Sequence, residues 1–183
     1  TLGMSMLSSF FDIRRDSEEL FSNLDIMNDS VLCQQWMNQW PVIFLSMKDI
    51  DGLSYQKAYE QFVLQISELY KRYTYVLECE AIDPFLLLKA GQASEAQISR
   101  SLSTLMRMLQ TYYQKQVILL LDEYDVPIAK ASNHGYYDQM LELIKVFMST
   151  ALKDNSSLKF AVITGCLKIA KESIFTGTNN MVS

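Results

Sequence analysis

Histidine is all but missing from this chain. His134 is the single one in 183 residues, which excludes a multi-histidine metal centre and argues against a Ser-His-Asp triad. Cysteine is also scarce: Cys33, Cys79 and Cys166 lie far apart and match no C-x-x-C metal or redox spacing, so a reduced, cytoplasmic setting is expected. There is no run of 18 apolar residues and no signal peptide, which points to a soluble protein with no membrane partner. Positive charge is not in excess. Sixteen basic against 21 acidic residues give a formal charge of -5, which offers nothing for a broad nucleic-acid surface and leaves room only for a local basic groove. No repeat or low-complexity linker divides the chain. With 49% hydrophobic residues it suits one domain, 1–183, with one well-buried core.

Against these gaps stands one strong pattern. Val117-Ile118-Leu119-Leu120-Leu121 is an unbroken aliphatic run that ends in Asp122-Glu123. So short a run, rich in branched residues, suits a strand buried on both faces of a parallel sheet. Carboxylates at the end of such a strand sit where open α/β sheets bind ligands. In a P-loop NTPase the first acid holds Mg2+ and the second orients or deprotonates the attacking water, the Walker B arrangement. The local pattern alone fits two polar residues capping the next turn equally well. The glycine-rich phosphate loop that would decide between them is not within the 183 residues.

Periodicity predicts a helix over about 2–11, through Met4, Met6, Leu7, Phe10 and Phe11, closed by the charged stretch Asp12 to Asp16. Glu18 to Met27 and Val31 to Gln39 read as two further short helices. Pro41 to Met47 reads as a strand, with Gly52 turning the chain out of it. Ser54 can cap a long helix to about Tyr75, and Ser94 opens another that runs to about Tyr113. After the acid-tipped strand come a loop holding Pro127, Ser132, Asn133 and Gly135, a helix over Tyr137 to Leu152, and a third buried strand over Leu158 to Ile163. Strands alternating with helices predict parallel crossovers and a three-layer αβα fold.

These residues carry a resemblance. Leu2 to Leu7 followed by Phe10-Phe11-Asp12, the strand PVIFLSMKD, the segment VILLLDEYDVPI and the stretch TGCLKIAKESIFTGTNN together resemble the bacterial AAA-ATPase-like family, in matching order over nearly the whole chain. Many members join an ATPase domain to a C-terminal PD-(D/E)XK nuclease-like domain. The resemblance implies a P-loop NTPase-like fragment, cut at both ends, whose sheet lacks the phosphate-loop strand and keeps the Asp122 strand in the middle. The Leu158 strand is then left as an apolar edge. It implies ATP and Mg2+ as ligands, and Thr1 as the last residue of the phosphate loop, sharing the metal with Asp122. Glu123 is then the catalytic carboxylate and Thr164 the sensor of the terminal phosphate. Nucleic acid, reached through a following nuclease-like domain, and self-association are the partners it suggests.

Each assignment has a plainer counterpart. Thr164 could simply satisfy a backbone group at a strand end. Asp125 reads first as a cap for the turn before Pro127. Lys168 and Lys171 read as solvated, Arg14 and Arg15 as surface ends of the first helix, His134 as an exposed loop residue and Cys166 as a small buried one. The methionines and tyrosines read mainly as core filling. The function expected is the core of a P-loop ATPase, impaired as it stands and hydrolysing ATP when intact. The alternative is a non-catalytic interaction scaffold that keeps the ATPase fold. A two-carboxylate metal hydrolase is a weak third, because no other acid or histidine cluster completes its site.

Overall fold

The computed structural model describes residues 2–76 and 82–166. In chain order its elements begin with α1 (Leu2–Phe11), α2 (Glu18–Phe21), α3 (Ser30–Trp36), β1 (Val42–Ser46), α4 (Tyr55–Lys71) and α5 (Ile82–Ala90). They continue with α6 (Glu95–Ser99), α7 (Ser101–Tyr113), β2 (Val117–Asp122), α8 (Val126–His134), α9 (Tyr137–Leu152) and β3 (Leu158–Ile163). The three strands form one parallel sheet in the order β1-β2-β3. The acid-tipped strand is therefore central, as expected. Every residue of β2 is buried, which is why its sequence shows no alternation: both of its faces are covered. β3 is only half-buried along most of its length. β3 is thus an edge among the described residues, paired on one side only, as the resemblance implies, and not the fully buried strand that its apolar run suggested.

Strand parity assigns the two faces. Ile118, Leu120 and Val42 pack with Met4 of α1, and Leu7, Phe11 and Trp36 close around them. Leu119, Leu121, Ile43 and Leu45 project the other way, into a larger core filled by Phe62 and Ile66 of α4, Leu105 of α7 and Phe147 of α9. The result is the three-layer α/β architecture, with α1 on one face and α4, α7 and α9 on the other.

Several boundaries differ from the expectation, each for a local reason. Glu18 to Met27 is not one helix: the Ser22 hydroxyl donates to the Glu19 carbonyl (2.8 Å), α2 stops, and a 3-10 turn over Asp25–Asn28 follows. Ser94 forms a reciprocal cap with Gln97, yet the helix it opens ends at Ser99, and Arg100 (φ -99°, ψ 5°) separates α6 from α7. The apolar period runs on through that break, so the sequence does not show it. The expected loop around Pro127 is helix α8. Proline sits in its first turn, where no N–H is needed, and Gly135 ends it at φ 77°. Arg14 is at the surface as expected but lies beyond the end of α1: its Nε and Nη2 donate to the two Asp12 oxygens (2.9 and 2.6 Å), and its guanidinium covers the Tyr73 ring. Among the described residues, no helix is long and apolar enough to cross a membrane.

Candidate functional site

All three strands end on a polar side chain at the carboxyl edge of the sheet: Ser46 closes β1, Asp122 closes β2, and Thr164 directly follows β3. Ser46 and Asp122 are register partners. The ladder continues past the strands, with the Met47 N–H on the Asp122 carbonyl (2.9 Å), the Thr164 N–H on that of Leu121 (2.9 Å) and the Tyr124 N–H on that of Thr164 (3.2 Å). Parallel open sheets bind ligands at this edge.

Asp122 is 1% exposed. By parity it shares a face with Ile118 and Leu120, which is the α1 side. The direction of α1 follows from its other end: Asp12 bridges to Trp40, and the Phe11 carbonyl accepts the Trp40 N–H at 3.0 Å, so the helix finishes at the amino edge of the sheet. Its first turn therefore opens toward the Asp122 end, with its partial positive charge on that side.

Thr164 joins the two acids. Its hydroxyl donates to Asp122 Oδ1 (2.5 Å) and accepts the Glu123 N–H (3.3 Å). A hydroxyl has one proton and two lone pairs, so both bonds form at once. Glu123 has left the strand and holds φ +57°, in the left-handed region, which turns its half-buried side chain out of the sheet's alternation.

Asp125 is not the cap that the sequence suggested. It precedes α8 but its side chain makes no cap bond; it is 3% exposed and its Oδ2 accepts the Cys166 N–H (2.5 Å). Cys166 itself is exposed, against the expectation of burial. Between Tyr124 and the turn after β3 there is no spare room: a Cβ on Gly165 would lie 2.6 Å from Tyr124 Cε1. Burial, and then the neighbouring Asp125 carboxylate, pushes the Tyr124 phenol above its ordinary pKa.

Thr1, Lys168 and Lys171 lie outside the described residues, as does the stretch from Ile174 to Gly177. His134 is exposed at the end of α8 and stacks on Tyr136. Reading the sequence passed over Ser46 as a site residue, although its signal was the same as for Asp122: a polar residue closing an apolar run. An apolar groove of about 520 Å³, lined by Phe10 of α1, Phe21, Trp36 and Phe160 among others, includes none of the site residues.

A model of the family described as Predicted AAA-ATPase matches residues 1–175. The chain belongs to that AAA-ATPase-like family. No curated protein and no solved structure matches it. In this AAA-ATPase-like chain the acid pair, the Thr164 bridge and the start of α1 share the carboxyl edge of a parallel sheet. Among the described residues no group of three or more His, Cys, Asp or Glu side chains could hold a metal. One buried carboxylate beside a hydroxyl is a hard-oxygen donor set. That set fits Mg2+, which binds one or two protein oxygens and completes its shell with phosphates and water.

Proposed function

We propose that this AAA-ATPase-like domain is the core of a P-loop ATPase, which in the intact protein binds ATP with Mg2+ and hydrolyses its terminal phosphate. One observation carries the reading: a single hydroxyl, from Thr164, bonds both the Asp122 carboxylate and the Glu123 amide at the ligand-binding edge of the sheet. A pair of turn-capping acids has no need of that bridge.

In this mechanism Asp122 and Thr1 hold the cation. Held there, Mg2+ would supply positive charge to offset the negative charge that develops on the phosphate oxygens. Glu123 accepts a proton from the attacking water, or orients it, at the γ-phosphorus. Its left-handed backbone frees the carboxylate from the strand alternation so that it can face the edge. Thr164 fixes the spacing of the two acids through its two bonds and stands where a terminal phosphate would be felt. The opening turn of α1 contributes its partial positive charge to the same anion.

The test uses protein expressed from the whole reading frame. Mg2+-dependent ATP turnover is expected, and Glu123→Gln should lower kcat by about 100-fold with ATP binding retained. Absence of turnover in the wild type, or equal turnover in the variant, sinks the reading.

A further inference from the structure

Four consecutive residues after the core of β2 are each bonded to the turn after β3. Asp122 accepts from the Thr164 hydroxyl, the Glu123 N–H reaches the same oxygen, the Tyr124 N–H donates to the Thr164 carbonyl, and Asp125 accepts from the Cys166 N–H. The last bond is the unexpected one. A carboxylate just before a helix ordinarily serves that helix's free N–H groups, yet Asp125 makes no such bond and reaches across to the neighbouring turn. Ionised acceptors make the stronger hydrogen bonds to backbone amides, and this one is almost fully shielded from water. Gly165 completes the fit: a Cβ there would come within 2.8 Å of Asp125 Oδ1 as well as 2.6 Å of Tyr124.

We infer that Asp125 is a positioning residue for the hydrolytic step, pinning residues 164–166 so that the Thr164 hydroxyl stays aligned with Asp122 and Glu123. The inference rests on the ATPase reading above. Asp125 touches neither water nor phosphate in this scheme; it acts through Thr164. Any displacement of the turn after β3 shifts Glu123 through the same bonds, so the clamp governs the chemical step rather than the binding of nucleotide.

Protein from the whole reading frame, as wild type, Asp125→Ala, Asp125→Asn, Gly165→Ala and Glu123→Gln, is assayed for Mg2+-dependent turnover and for amide exchange at Cys166. Asp125→Ala should lower kcat by about tenfold and leave KM for ATP within about twofold. Asparagine keeps an acceptor oxygen of the same reach, so Asp125→Asn should recover to within about threefold of wild type. Gly165→Ala attacks the clamp from its other side and should repeat the alanine result. The Cys166 amide should exchange faster in Asp125→Ala while the melting temperature shows the fold intact. Wild-type kcat in Asp125→Ala alongside a dead Glu123→Gln overturns the clamp and leaves the ATPase reading standing. Asparagine no better than alanine, with kcat, KM and melting temperature all impaired together, also overturns it. A wild type without turnover brings down the ATPase reading first, and the inference with it.

Discussion

Glu123 stands at φ +57°, a region that costs a residue with a Cβ about 1 kcal/mol or more relative to glycine. Nothing about strand termination demands a glutamate there, since glycine would turn the chain more easily. Strain kept at a carboxylate beside a ligand-binding edge is an expected mark of function. Glu123→Gly should therefore keep or raise stability, by about 1 kcal/mol in urea unfolding, while abolishing turnover. A loss of stability of similar size would mean that the side chain is a structural support. At this scale the sequence was informative about residue identity and silent about partners. Asp122 and Thr164 both announce themselves as polar ends of apolar runs, but they are 42 positions apart and their bond exists only once β3 lies beside β2. Asp125 misled for the opposite reason: its position before a helix is a capping signal, and a tertiary donor, the Cys166 N–H, outcompeted the helix's own N–H groups for its carboxylate.

The connection from β1 to α4 sets the rim next to the site, and one glycine makes it possible. A Cβ on Gly52 would lie 2.5 Å from the Ala58 backbone nitrogen and 2.9 Å from Lys57. The Gly52 carbonyl also accepts the Tyr136 hydroxyl (2.5 Å), and Asp51 pairs with Lys130 (3.4 Å), which ties this rim to α8 and the start of α9. Gly52→Ala must push back the first turn of α4, and a loss of about 2 kcal/mol in chemical denaturation is expected. A wild-type midpoint would show that the turn yields freely. Elements with their own punctuation were legible: Ser54 caps α4 and Ser94 caps α6 as the residues suggest. Helix α8 was not, because Pro127 reads as a breaker until it is known to occupy a first turn.

Across the whole molecule, buried phenols link stability to alkaline pH. Tyr70 and Tyr73 are buried and their hydroxyls donate to the Ser101 and Val42 carbonyls (2.6 and 2.7 Å). Burial raises both above the ordinary tyrosine value. The unfolded chain then releases these protons first, beginning near pH 10, while the folded chain holds them. Stability from this source is complete below that pH and is lost as pH climbs from there toward the raised folded values. Each such group contributes a fall of about 1.4 kcal/mol per pH unit in that window. Tyr70→Phe should flatten the decline by about that amount between pH 10 and pH 11 in urea titrations. An unchanged slope would show that the phenol titrates alike in both states.

The amino-acid order by itself determined that β2 is buried on both faces, that it ends in acids, and that strands and helices alternate into a parallel sheet. Those are consequences of local hydropathy and chain connectivity, which short windows of sequence contain. Only the tertiary structure decided that β3 is half-buried and not fully buried, and that residues 122–125 are bonded one after another to residues 164–166. Hydrogen bonds between distant segments depend on register, burial and the room left by one missing Cβ at Gly165, and none of these has a signature within a single stretch of chain.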